Sequence, residues 1–178
     1  MANTKITLDD NAIELAYYLT GREELFENSL SQCSQDSRAV GILGEMAATE
    51  YLRGLYGKQR SVVPMGLAAR TGGGNRSFGM GDVITVRNGI ASQKRKEVQT
   101  FEVKARTAGA GKGNMIRCDH ADQYYENGIA AVIFVEVDIT PKRAICEIVK
   151  VVCPLEIFLT WPTATNGMGQ ECYLMPTV

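Results

Sequence analysis

Gly81-Asp82-Val83-Ile84-Thr85-Val86 and Thr100-Phe101-Glu102-Val103-Lys104-Ala105 are the two stretches whose reading decides the fold. Both are rich in β-branched and aromatic residues, and each carries acidic side chains where a half-buried strand favours none. Side chains two apart on a strand share a face, so Glu102 and Lys104 point one way while Phe101 and Val103 point into a core. If the two strands pair as a hairpin, Asp82 lies beside Glu102. Two carboxylates and an ammonium then converge, an arrangement that suits a hard divalent cation and a phosphate ester.

Outward from these strands, the sequence alternates between helical and extended patterns. Upstream, Val40, Leu43, Ala47, Ala48, Tyr51, Leu52 and Leu55 form a helical stripe over 37–55, with Ser37 as its cap and Gly54 and Gly57 at its end. Residues 8–19 have helical spacing behind Asp9-Asp10, and 23–30 suit a second short helix. A strand is expected at 60–64 and a flexible glycine-rich loop at 65–78. Asn88-Gly89 is a turn dipeptide, and 93–96 reads as a polar hairpin tip. After the second strand (98–106) come a glycine-rich loop (107–114) and a helix over 119–127 closed by Gly128. An apolar central strand (129–137), a further strand (143–151) and a short helix (154–159) complete the order. Helix, strands, helix, strand implies an α/β sandwich around a mixed sheet.

With 178 residues and 45% hydrophobic content, the chain is expected to form one domain over 1–178, its core spanning about 37–151 behind an N-terminal helical extension at 8–31. No apolar run matches a membrane span and residues 1–10 lack a signal pattern, so a cytoplasmic protein without membrane partners is expected. The five cysteines form no C-x-x-C pair, which argues for reduced thiols over disulfides or a zinc ribbon. Cys118-Asp119-His120 lacks a second ligand pair, so Asp119 reads as a helix cap and His120 as a surface residue. Gly109-Ala110-Gly111-Lys112-Gly113 fails as a phosphate loop: Arg106 stands where its first glycine belongs, and neither Ser nor Thr follows Lys112.

The net charge of −1 conceals an asymmetry. Residues 53–117 carry thirteen basic and three acidic side chains, while the remainder carries six basic and seventeen acidic ones. Positive charge gathered around an acidic pair suits a polyanion such as DNA. Arg70, Arg76 and Lys112 on glycine-rich loops, Lys94-Arg95-Lys96 at the hairpin tip, and Arg106 are the candidate DNA contacts.

In these residues the chain resembles the PD-(D/E)XK nuclease superfamily. Its pattern is an aspartate opening one strand, then an acidic residue, any residue and lysine on the next: here Gly81-Asp82 and Glu102-Val103-Lys104. Glu45, in Gly41-Ile42-Leu43-Gly44-Glu45-Met46-Ala47-Ala48, suits the glutamate that members often add from the preceding helix. Gly81 replaces the name-giving proline. The resemblance implies a restriction-endonuclease-like α/β/α sandwich with a mixed central sheet and an αβββαβ core. It also implies Asp82, Glu102, Lys104 and Glu45 as catalytic residues, with Asp82, Glu102 and Glu45 holding Mg2+ (Mn2+ as substitute). Gln123, on the helix after the lysine strand, is an accessory candidate, and Tyr124 and Tyr125 read as packing residues. The activity implied is metal-dependent DNA endonuclease, of restriction, junction-resolving or mobile-element type. The alternative is a nuclease-fold DNA-binding module that is inactive alone or acts only within a complex. A homodimer is compatible with double-strand cleavage, with 161–178 as a candidate source of contacts.

Overall fold

The computed structural model describes residues 4–23, 34–72, 81–88, 98–110 and 114–176. Among them the chain forms β1 (Thr4–Asp9), α1 (Asp10–Glu23), α2 (Gln35–Tyr56), β2 (Arg60–Val63) and α3 (Met65–Gly72). There follow β3 (Val83–Arg87), β4 (Val98–Thr107), β5 (Met115–Arg117), α4 (Cys118–Glu126), β6 (Ala131–Thr140), β7 (Arg143–Val152), α5 (Pro154–Thr160), β8 (Thr163–Thr165) and β9 (Glu171–Leu174). The expected helix at 23–30, the hairpin tip at 93–96 and the loop from Gly73 onward lie largely or wholly outside the described residues.

Six strands form a sheet in the order β1-β7-β6-β4-β3-β2. β4 and β6 run parallel and the other neighbours antiparallel, so the sheet is mixed. The apolar run that predicts a doubly covered strand is β6. Its Ile133, Val135 and Val137 pack into a core shared with Ala16, Leu19, Ile42 and Leu43 of α1 and α2. Val132 and Phe134 point the other way, against Tyr124 of α4, Ile157 of α5 and Trp161. Each such side chain removed from water contributes roughly 1.5–3 kcal/mol, and strict alternation along β6 lets one strand serve both cores. The fold is mixed α/β, with helices on each side of the sheet.

Helix α2 lies where its apolar stripe predicts, but its cap is Ser34: the Ser34 hydroxyl accepts from the Ser37 N–H at 3.2 Å. Ser37 is therefore inside the first turn. Gly54 is helical, and Gly57 alone ends the helix, at φ 52. α2 comes unusually close to the sheet at Gly44, where a Cβ would meet Ala105 Cβ at 2.3 Å.

Two expectations are corrected. Leu8 belongs to β1, paired opposite Ala144, and α1 begins only at Asp10, with Asp9 Oδ1 accepting from the Ala12 N–H at 3.0 Å. Residues 65–72, expected as loop, form α3, whose Ala68 N–H bonds to the Pro64 carbonyl at 3.0 Å. After Trp161, β8 and β9 join β5 in a second sheet ordered β5-β9-β8. Trp161 is buried beside Phe134, with ring centroids 5.4 Å apart. No described helix is long and apolar enough to cross a membrane.

Gly81 leads into β3 at φ 73, a region in which proline, fixed near −65°, cannot sit. A Cβ there would stand 2.4 Å from Thr100 Cγ2 and 2.9 Å from the Phe101 carbonyl oxygen. Gly81→Ala is expected to destabilise the fold by about 1–3 kcal/mol, from left-handed backbone strain and this contact. A urea denaturation midpoint equal to that of the wild type contradicts this.

Candidate active site

β3 enters the ladder with Val83 opposite Phe101. One residue earlier the pairing changes character. The Asp82 N–H donates to the Phe101 carbonyl at 2.8 Å, and its side-chain Oδ2 accepts from the Val103 N–H at 2.7 Å. The carboxylate thus takes a place in the ladder that a backbone carbonyl ordinarily fills. It is fixed beside the strand position of Glu102 and is only 2% exposed.

Glu102 and Lys104 share the face of β4 turned toward α4, as their spacing predicts. Lys104 Nζ donates to Glu102 Oε1 at 2.8 Å, with the two side chains 33% and 10% exposed. The Tyr124 hydroxyl donates to the same oxygen at 3.1 Å, and the Lys104 ammonium sits 5.3 Å from the Tyr124 ring centroid. Burial opposes the charge on Lys104, but the Glu102 carboxylate and the Tyr124 hydroxyl outweigh it and leave the pKa above the ordinary lysine value. Lys104 is an ammonium at neutral pH. Burial pushes the Tyr124 phenol up to about 12, with the nearby Lys104 opposing the rise. His120, one turn before Tyr124 on α4, lies with its ring centroid 6.3 Å from that of Tyr124. Burial, Lys104 and Arg117 all lower its pKa below 6.5, against smaller effects of Asp119 and Glu102.

Glu45 reaches this region from the opposite face of the sheet. It is buried on α2, and its carboxylate packs against Gly66 in the first turn of α3. The Gly66 N–H in turn donates to the Asp82 carbonyl at 2.9 Å. A Cβ on Gly66 would stand 2.2 Å from Glu45 Oε2 and 2.9 Å from its Cδ. Gly44, which draws α2 against β4, and Gly66, which leaves room for the carboxylate, together bring Glu45 close to the Asp82 segment.

The structure therefore brings Asp82, Glu102 and Lys104 to adjacent strand positions and Glu45 behind them. Among the described residues, no three His, Cys, Asp or Glu side chains are grouped so as to hold a metal ion. Arg106 follows Lys104 on the same face, and its guanidinium is paired with Glu136, its register partner on β6. Arg70 lies on α3, and Gln123 is half-buried on α4. Arg76, Lys94, Arg95, Lys96 and Lys112 lie outside the described residues.

Two expectations on α4 are corrected. Asp119 does not cap the helix: Arg117 holds the cap position without a side-chain bond, and Asp119 instead pairs with the Arg117 guanidinium. His120 is half-buried within the site rather than a surface residue. Tyr124 is packed in the core, as expected, and is also hydrogen-bonded to Glu102. The signal available in the sequence was the i, i+4 spacing of His120 and Tyr124, which puts both on one helix face. Compared with protein-family models, curated proteins and solved structures, the chain matches none of them.

Gly66→Ala is expected to displace the Glu45 carboxylate and lower the melting temperature by several degrees, in line with overpacking costs of about 1–3 kcal/mol. An unchanged melting curve contradicts this. His120 is the chain's only histidine, so its ring protons report its titration unambiguously. Its folded pKa lies below the unfolded 6.5, so between these values the unfolded chain binds more protons. Stability therefore falls as pH drops through 6.5. An NMR titration midpoint at or above 6.5 overturns the assignment.

Proposed function

We propose that the chain is a metal-dependent DNA endonuclease with a restriction-endonuclease-like core. The observation that carries this reading is Asp82, locked to the Val103 N–H, on the segment that pairs alongside the strand bearing the Glu102–Lys104 pair. The order α2, β2, β3, β4, α4, β6 supports it, since it follows the αβββαβ plan with α3 and β5 as insertions.

The donor chemistry suits Mg2+, which takes one or two carboxylates and leaves its other positions to water and phosphate. Asp82 and Glu102 are the two hard oxygen donors on adjacent strands, and Glu45 is a third behind them. When bound there, Mg2+ or Mn2+ supplies polarisation of the phosphate and of an attacking water. The chain's own residues do the rest. The Asp82 side chain is held by a backbone donor and does not have to be ordered on binding. Lys104, already an ammonium, opposes the negative charge that develops on a phosphate in the transition state. The basic residues of 53–117 supply sequence-independent attraction for a DNA backbone. A homodimer would pair two such sites for double-strand cleavage.

A second reading keeps the fold and the DNA but not the solitary activity: a DNA-binding module that is inactive alone or cuts only within a complex. The lack of a three-ligand cluster among the described residues favours it.

A cleavage screen over supercoiled, linear, single-stranded and four-way DNA, with Mg2+ and with Mn2+, separates the two. The nuclease reading expects metal-dependent cutting that falls by about 100-fold or more in Asp82→Ala and in Lys104→Ala, the scale of losing a charge-stabilising group. Salt-sensitive binding of DNA with no cutting of any substrate supports the module instead. Cutting that persists in both variants rejects this site.

A further inference from the structure

We propose that Tyr124 is a positioning residue of this site: its hydroxyl and the Lys104 ammonium together occupy one oxygen of Glu102, so that Glu102 offers a cation only Oε2. The inference rests on the nuclease reading and specifies how one of its carboxylates acts.

A carboxylate can only accept, so the direction of both bonds to Oε1 is fixed, from Lys104 Nζ at 2.8 Å and from Tyr124 Oη at 3.1 Å. Among the described residues, none donates to Oε2. Tyr124 is held in place by burial: it is 1% exposed and belongs to the core that also contains Ile116, Ala121, Ile129, Val132 and Phe134. The same ring face lies beside the Lys104 ammonium at 5.3 Å, so one immobile side chain restrains both members of the ion pair. With both lone pairs of Oε1 taken by donors, chelation of a cation through both oxygens of Glu102 would require breaking at least one of these bonds. Single-oxygen ligation through Oε2 requires breaking neither.

Tyr124→Phe isolates the hydroxyl, since the ring, its packing and its contact with Lys104 all remain. Relative to wild type, kcat for DNA cleavage is expected to fall about tenfold, the size of a lost hydrogen bond to a charged group, with KM for DNA unchanged within about twofold. Mn2+ binding to the DNA-free protein, read by electron paramagnetic resonance, is expected to weaken about threefold or more for the same reason. A merely structural tyrosine would move the melting temperature and leave the division between kcat and KM as it was. A crystal of the wild-type protein soaked in Mn2+ provides a check that needs no variant: Oε2 alone on the metal is expected, and chelation through both oxygens overturns the inference. A cutting wild type whose Tyr124→Phe variant matches it in rate and in Mn2+ affinity overturns this inference and leaves the nuclease reading standing. A wild type that neither binds Mn2+ nor cuts DNA overturns both.

Discussion

A carboxylate that is nine-tenths removed from water must be compensated, and at Glu102 this requirement organises one side of the molecule. An unpaired charge in such a place costs several kcal/mol. Lys104 supplies the opposite charge from two residues along the same strand, and Tyr124 supplies a neutral donor from the helix above. The second donor ties the site to the fold, because Tyr124 is also a central member of the core between α4, α5 and the sheet. α4 cannot slide along β4 without both emptying that core and releasing Oε1. Polar satisfaction and apolar packing therefore demand the same helix position, and β5 at one end and Gly128 at the other deliver the chain to it.

The other side of the sheet contributes through close approach. α2 meets β4 where Gly44 lacks a side chain, and α3 meets Glu45 where Gly66 lacks one. Asp82 sits between these layers, in the plane of the sheet, accepting a ladder hydrogen bond with its side chain. Helix, sheet and second helix each bring one restraint to the same short length of β4. A site assembled this way is held by the secondary structure rather than by loops, which favours fixed geometry over adaptability.

Much of this was legible because the governing periods are short. Alternation by twos put Glu102 and Lys104 on one face, the unbroken apolar run gave β6 its central place, and the 3.6-residue stripe found α2. The hairpin-like neighbourhood of Asp82 and Glu102 followed from pairing alone. What escaped depended on contacts between distant segments. Residues 65–72 carry two glycines and no long apolar stripe, so their helix is visible only once Glu45 and Asp82 surround it. Leu8 fits the helical pattern of 8–19 and the β1 strand equally well, and the free edge of β7 decides in favour of the strand. β8 and β9 are too short to register as strands without β5 beside them. Tyr124 packs as its reading expects, and its hydrogen bond to Glu102 escaped because a packing role says nothing of where the hydroxyl goes.

The order of exposure within the ion pair bears on how the site would meet an anion. Lys104 is 33% exposed and Glu102 10%, so the ammonium is the outer member and the carboxylate the inner one. A phosphate approaching from solvent meets the positive charge first, and the repulsion from Glu102 is offset before the two acidic groups come within reach. Were the order reversed, the carboxylate would face the incoming anion and the lysine would be spent on internal neutralisation. The short distance at Oε1 also means that Lys104 shares its charge between Glu102 and any phosphate, weakening one contact as the other forms. The two buried acids within 53–117 are thus each held by donors of the chain itself, Asp82 by the Val103 N–H and Glu102 by Lys104 and Tyr124.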